Sequence, residues 1–192
     1  MKKIFNSVIT GVVFLMSCTA KENEENKNFI SIQSFIEKQV EHVDTSLYSI
    51  RKIIITDSLH SDTTYIRRED FREAAKEFLA IPDLSLKKVA KRYTEEPARF
   101  DKLLGRVIIS YTALNPEREE YTSQELLITP NVEGEDKVRT VIVTRVIKNP
   151  KLSIYKNLLW QIDKSFQITT TSQQLGAPEK ITIEKVAWNE DN

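Results

Sequence analysis

The feature that most constrains the fold of this chain is a two-residue alternation of apolar and polar side chains in its C-terminal half. From Gly105 onward this alternation occupies six segments, each enriched in β-branched and aromatic residues. The segments are RVIISYTAL, YTSQELLIT, KVRTVIVTRVIK, LSIYKNLLWQID, SFQITTT and KITIEKVAW. Because the links between them are short and rich in turn-forming residues, consecutive strands are expected to pair as an antiparallel meander.

The phase of the alternation predicts which side of the sheet faces the core. In the last three segments one set of alternate residues is mainly apolar, and the other set is rich in Ser, Thr, Gln, Lys and Glu. This pattern is typical of a sheet with one face in the core and one in water. The predicted core-facing residues are Leu152, Ile154, Leu158, Trp160, Ile162, Phe166, Ile168, Ile181 and Ile183.

The first half of the chain has a helical period instead. Apolar residues recur every three or four positions over about 29–43, which predicts an amphipathic helix with Asn28 as its N-cap. The same spacing over about 68–80 predicts a second helix, and Pro82 ends it. The segment 84–93 fits either a short helix or the beginning of a strand.

A predicted hairpin lies between these two helices. The segment 47–56 contains IRKIIIT and predicts a strand, and 63–67 is its expected hairpin partner. The fold class is therefore α+β, with two or three N-terminal helices packed on one face of a largely antiparallel meander sheet of about six to eight strands.

The beginning of the chain predicts a cleaved export signal. Lys2 and Lys3 precede a nine-residue apolar run, which is too short to span a bilayer. The run ends in Leu15-Met16-Ser17-Cys18, which resembles the lipobox of bacterial lipoproteins, and Cys18 is the only cysteine of the chain. The resemblance implies that the Cys18 thiol takes a diacylglyceryl group and anchors the protein to a membrane. An ordinary secreted protein with a stray cysteine is the alternative.

A short charged stretch follows the predicted anchor. Lys21-Glu22-Asn23-Glu24-Glu25 resembles the export signal that sends lipoproteins of the Bacteroidota to the outer face of the outer membrane, although a plain solvated tether has the same composition. The predicted organisation is a signal peptide over 1–17, a lipidated tether over 18–28 and one α+β domain over 29–192. The predicted location is the outer membrane, and the choice between its periplasmic and cell-surface faces stays open.

Two segments of the predicted domain resemble a known group of proteins. ISIQSFIEKQV near the start and WQIDKSFQI near the end are similar to segments of small Bacteroidota lipoproteins. The resemblance covers most of the chain beyond the tether. It rests on core and hairpin residues, and it implies no activity and no site.

Composition limits the classes of partner. The chain has 28 basic and 28 acidic residues, and without Lys2 and Lys3 the mature part carries 26 basic residues against 28 acidic ones. This balance argues against a nucleic-acid partner, which requires concentrated basic charge. A mature fold with no second cysteine forms no internal disulfide, so its stability must come from packing.

No catalytic or cofactor motif is found in the sequence. The chain lacks G-x-S-x-G, S-x-x-K and H-E-x-x-H, and its glycines form no phosphate-binding cluster. Two H-x-D pairs, His42 with Asp44 and His60 with Asp62, have too few neighbouring ligands for a metal site. We therefore predict no enzyme activity, no cofactor and no metal.

The remaining candidates are contact residues. Lys87, Lys88, Lys91 and Arg92 form a basic cluster that fits an acidic surface or, more simply, the solvent side of a short helix. Trp188 near the C-terminus fits either an exposed contact residue or the core. The predicted function is a non-catalytic binding or accessory protein that is held at the membrane and contacts an envelope protein, glycan or lipid. Two alternatives are a half-barrel carrier of an apolar ligand and a hydrolase of envelope polymers.

Overall fold

A computed structural model describes residues 29–56, 60–131 and 134–189. The predicted leader, Cys18 and the tether lie outside these residues. The described helices are α1 (Ile32–Thr45), α2 (Arg68–Ala74), α3 (Lys76–Leu79) and α4 (Lys87–Ala90). The described strands are β1 (Ile50–Ile55), β2 (Ser61–Ile66), β3 (Tyr93–Glu95), β4 (Arg99–Asp101), β5 (Arg106–Ala113), β6 (Tyr121–Thr129), β7 (Lys137–Asn149), β8 (Leu152–Gln161), β9 (Ser165–Gln174) and β10 (Lys180–Ala187).

The ten described strands form one antiparallel sheet. Its order is β2-β1-β10-β9-β8-β7-β6-β5-β3, and β4 also pairs with β5. The six alternating segments of the sequence are β5 to β10, and they form the expected meander. The hairpin β1–β2 joins the free side of β10. The α+β class is therefore confirmed, whereas the predicted number of strands is too low because β3 and β4 have only three residues each.

The helices differ from the prediction in detail. The N-cap of α1 is Ser31, whose hydroxyl accepts the Ser34 N–H at 3.2 Å, so the predicted cap at Asn28 is wrong. The predicted second helix is divided at Ala75 into α2 and α3. The ambiguous segment 84–93 contains both predicted elements, because α4 is followed directly by the start of β3 at Tyr93.

An aromatic cluster joins the helices to the sheet. Phe71 of α2 and Phe78 of α3 lie against Trp160 of β8, with ring centroids 6.3 and 5.0 Å away. Phe166 of β9 stacks on Trp160 at 5.1 Å, and Trp188 lies 5.1 Å from Phe71. All five side chains are almost completely buried, so the core lies between the helices and one face of the sheet.

The predicted core face is right for β8 and β9 and wrong for β10. Phe166 is opposite Val186 in the register, so Val186 is on the core face and is fully buried. Ile181 and Ile183 lie on the other face, and Ile181 is 50% exposed. The turn between β9 and β10 sets their relative phase, and the alternation within one strand does not reveal it.

Of the helices in the described ranges, none is both long enough and apolar enough to cross a bilayer.

Candidate functional site

The sheet has a second face that does not belong to the main core. Helices α1, α2 and α3 bury their apolar side chains in a core whose strand residues all lie on one face. We call the other side the open face. In β5 to β9 it consists of the alternate residues that run through Ile108, Leu127, Ile142, Leu159 and Gln167. Most of its side chains are half-buried rather than buried.

One row of the open face is a ladder of hydroxyl and amide groups. The register aligns Thr112, Ser123, Thr144, Asn157 and Thr169 on five neighbouring strands. Neighbouring strands are about 4.8 Å apart, so these groups form a regular line of donors and acceptors.

Two hydrogen bonds connect this ladder to neighbouring residues. The hydroxyl of Thr112 donates to Glu96 at 2.7 Å, and the amide of Gln167 donates to the hydroxyl of Thr169 at 3.2 Å. These contacts orient the two ends of the ladder.

The next row has an apolar centre. Ile142 and Leu159 are directly opposite each other and half-buried, with Glu125 on one side and Gln167 on the other. Glu125 accepts the hydroxyl of Ser110 at 3.3 Å. An apolar pair inside a polar rim is the usual arrangement of a protein interface, in which charged residues are depleted from the centre.

One end of the open face, at the beginning of β5, is covered by the side chain of Arg106. Ile108, Leu127 and Thr140 form a row there and are only 5, 6 and 7% exposed. The Arg106 guanidinium donates to the Thr140 hydroxyl at 3.2 Å. Because β6 lies between these two residues, the stem of Arg106 crosses β6 and covers this end of the face.

The open face is large enough for a macromolecular contact. From β5 to β2 it crosses eight strands, and three rows of side chains extend along them. Strand and residue spacings give it an area of about 700 Å², close to the ~800 Å² that each partner buries in a standard interface.

A charged cleft lies on the helix side, between α2, α3 and the sheet. It has a volume of about 310 Å³ and is lined by Lys52, Asp70, Glu73, Lys76, Glu77 and Glu184, with three apolar residues. Each of its four acids is held in an ion pair: Lys52 binds Glu184 at 2.8 Å, and Arg67, Lys76 and Lys156 bind Asp70, Glu73 and Glu77. Such pairing is typical of a structural network and differs from two carboxyl groups that share a proton.

The basic cluster predicted from the sequence is on the surface. Lys87, Lys88, Lys91 and Arg92 are exposed on and directly after α4. Arg92 binds Glu119 at 2.6 Å, so part of its charge is compensated within the domain. The open face does not include these residues.

Trp188 lies in the core, which is one of the two positions predicted for it. It is 4% exposed and lies in the aromatic cluster, so it is not available as a surface contact. The periodicity of β10 continues into Trp188, but its proximity to the C-terminus obscured this signal.

The two histidine pairs do not assemble a metal site. Asp44 binds Arg72 at 2.9 Å, and the ring of His42 lies against Tyr48 with centroids 5.9 Å apart. Within the part of the chain that the structure describes, no group of three or more His, Cys, Asp or Glu residues could hold a metal ion.

Comparison with protein-family models, with curated proteins and with solved structures finds no match to this chain. The function is therefore inferred from the described surfaces. The alternation of the strands predicted that one face of the sheet is polar and lies in water. It did not select Ile142 and Leu159 as its centre, because their pairing depends on the β7–β8 register.

Proposed function

We propose that this protein is a lipid-anchored, non-catalytic binding or accessory protein of the bacterial outer membrane, and that it contacts an envelope protein or glycan through the open face. The observation that carries the proposal is a wide sheet face outside the main core, with Ile142 and Leu159 at its centre and a polar rim. Its area and low charge fit recognition of a macromolecule.

The chemistry of the rim supports a partner with many polar groups. The ladder from Thr112 to Thr169 offers hydroxyl and amide groups that both donate and accept hydrogen bonds. The half-buried side chains of Ile142 and Leu159 add apolar area in the row beside this ladder. A folded protein surface or an extended glycan can satisfy both kinds of group.

The two alternatives receive less support. A carrier of apolar ligands requires an apolar cavity, whereas the cleft beside α2 and α3 is lined mainly by charged side chains. A hydrolase of envelope polymers requires two carboxyl groups with different roles, whereas the acids of that cleft are each bound to a cation.

The anchor is tested by the mass of the mature protein. Cleavage before Cys18 and addition of acyl chains to its thiol and amino group are the expected result. A free thiol, or a leader that is retained or cut elsewhere, would contradict the anchor and the proposed location.

The contact surface is tested by crosslinking in envelope preparations. The full chain is expressed as wild type, as Leu159→Lys and as the control Gln174→Lys, which introduces the same charge at an exposed position at the end of β9 on the opposite side of the sheet from the open face. Leu159→Lys places a charge in the apolar centre, and we expect capture of the partner to fall about tenfold or more. Equal capture by Leu159→Lys and the control would exclude the open face, and circular dichroism checks that both variants fold.

A further inference from the structure

The hairpin between β4 and β5 exposes apolar side chains at its tip. We call residues 99–106 the hairpin tip. Leu103 is 98% exposed, Phe100 57% and Leu104 54%. Three large apolar side chains within five residues form a protruding patch rather than scattered surface residues, and such patches mark contact sites.

Local hydrogen bonds hold this exposed conformation. The carboxylate of Asp101 accepts the backbone N–H of Leu103 at 2.9 Å and that of Leu104 at 3.0 Å. Gly105 then has a positive φ of 60°, which a residue with a side chain rarely adopts, and it directs the chain into β5. The turn therefore displays the leucines in a fixed arrangement.

Positive charge surrounds the exposed leucines. Arg99 and Lys102 are exposed cations of the hairpin tip, and Asp101 is its single acid, whereas the guanidinium of Arg106 is directed to Thr140. One carboxylate oxygen of Asp101 is used by the turn. Apolar side chains with flanking cations are the combination that binds an anionic lipid surface, because the leucines enter the acyl boundary while the cations meet the headgroups.

We infer that the hairpin tip inserts Leu103 and Leu104 into the surface of an anionic lipid bilayer, with Arg99 and Lys102 at the headgroups. The inference extends the proposed function, because it adds a second membrane contact to the lipid anchor. The domain then has a defined orientation on the membrane, with the beginning of β5 toward the lipid.

The first described residues lie close enough to the hairpin tip for the anchor and the tip to reach the same bilayer. The ring of Phe29 lies on Tyr111 of β5 with centroids 4.9 Å apart, and the N–H of Ile30 donates to the Tyr111 hydroxyl at 3.0 Å. Leu104 is seven residues before Tyr111, so the tip and the end of the tether are within about 25 Å of each other. The segment from Cys18 to Phe29 spans at most about 40 Å. A bilayer that holds the anchor is therefore within reach of the tip.

The test measures how deeply the tip enters the lipid. The full chain with Leu103→Cys is expressed in a bacterium that lipidates it, so the introduced thiol is the only free one, and it is labelled with an environment-sensitive fluorophore. The protein is reconstituted in vesicles of phosphatidylcholine and phosphatidylglycerol with brominated acyl chains. The control is Leu175→Cys, at a position that is 82% exposed in the β9–β10 turn at the opposite end of the strands.

We expect strong bromine quenching at position 103 and about fivefold less or none at position 175. Adding Lys102→Glu is expected to lower the ratio of inserted to free tip about fivefold or more, because one cation near anionic lipid contributes about that factor. Equal quenching at both positions, or quenching at neither, would overturn the inference. The fluorophore at position 103 could instead be shielded from water without brominated lipid, to an extent that increases with protein concentration. This result would show a contact between protein molecules and would also overturn the inference.

Failure of the anchor is distinguishable from failure of the tip. The intact mass before labelling shows whether Cys18 carries acyl chains. If it does not, the full chain with Cys18→Ser and Leu103→Cys is added to the same vesicles, with the corresponding Leu175→Cys chain as control. Stronger quenching at 103 in that experiment supports the tip without the anchor, and equal quenching contradicts it.

Discussion

At the scale of single residues, the burial of Tyr93 makes the stability of the fold depend on pH. Its hydroxyl donates to the backbone carbonyl of Tyr121 at 2.8 Å, and the side chain is 4% exposed. Burial, and to a smaller extent the charge of Glu119, raises the pKa of Tyr93 to about 12. Since the folded pKa exceeds the unfolded one, the contribution of Tyr93 to stability is complete below pH 10 and is lost as the pH rises toward 12. We expect a loss of about 2–3 kcal/mol over this range, measured by urea unfolding at stepwise pH.

The control for this prediction is Tyr93→Phe. It removes the titrating group and leaves the Tyr121 carbonyl without its donor, so we expect a loss of about 1 kcal/mol at neutral pH and a smaller decrease above pH 10. Burial also raises the pKa of Tyr111 and Tyr121, so part of the decrease remains. An unchanged alkaline decrease in Tyr93→Phe would contradict the assignment.

Glu77 is a second residue with a measurable role. Arg145 of β7 and Lys156 of β8 are opposite each other in the sheet. One carboxylate oxygen of Glu77 in α3 lies 3.5 Å from the Arg145 guanidinium, and the other lies 2.5 Å from the Lys156 ammonium group. Glu77→Gln leaves two neighbouring cations without this acid, and we expect a loss of about 2 kcal/mol because the side chains are only about one-fifth exposed.

The matched control for Glu77 is Glu73→Gln on the preceding turn of the chain. Glu73 binds Lys76 at 2.6 Å, but both side chains are more than 60% exposed. Exposed pairs contribute little, so we expect a change below about 0.5 kcal/mol in the same denaturant measurement. Equal losses in the two variants would show that Glu77 does not secure α3 to the sheet.

At the scale of elements, the β8–β9 turn is tied to α1. Asp163 has a positive φ of 61°, and its carboxylate accepts the side-chain amide of Gln39 at 2.8 Å. Asp163→Ala loses this bond and keeps a backbone conformation that is unfavourable for alanine, so we expect a loss of about 1–2 kcal/mol in thermal unfolding. Asp163→Gly loses the bond but relieves the backbone and should be close to wild type. The reverse order would contradict this account of the turn.

The elements themselves were largely predictable because their signals are local. Strands β5 to β10 begin and end within three residues of their alternating segments, and α1 follows its helical period. The division of the second helix at Ala75 has no Gly or Pro to announce it. Strands β3 and β4 have three residues each, which is too short for an alternation to be recognised, although β4 begins the hairpin that exposes Leu103.

At the scale of the whole molecule, the limits of sequence reasoning lie in the pairing between strands. The phase of β10 decides whether Ile183 is in the core or on the open face, and the register of β7 and β8 decides that Ile142 meets Leu159. Both depend on contacts between strands and on turn geometry. For this reason the existence of a polar face was predictable from the sequence, whereas the residues at its centre required the structure.

The aromatic cluster makes a prediction for the whole domain. Trp188 follows β10 directly and contacts Phe71 of α2 and Trp160 of β8, so it joins the C-terminus to the helices and to the middle of the sheet. Trp188→Ala removes a large buried side chain, and we expect a loss of about 3–5 kcal/mol in denaturant unfolding followed by circular dichroism. Fluorescence of the remaining Trp160 should follow the same transition if the domain unfolds as one unit. Leu175→Ala, at an exposed position, should stay within about 0.5 kcal/mol of wild type. A Trp188→Ala variant as stable as this control would show that the C-terminus is not part of the core.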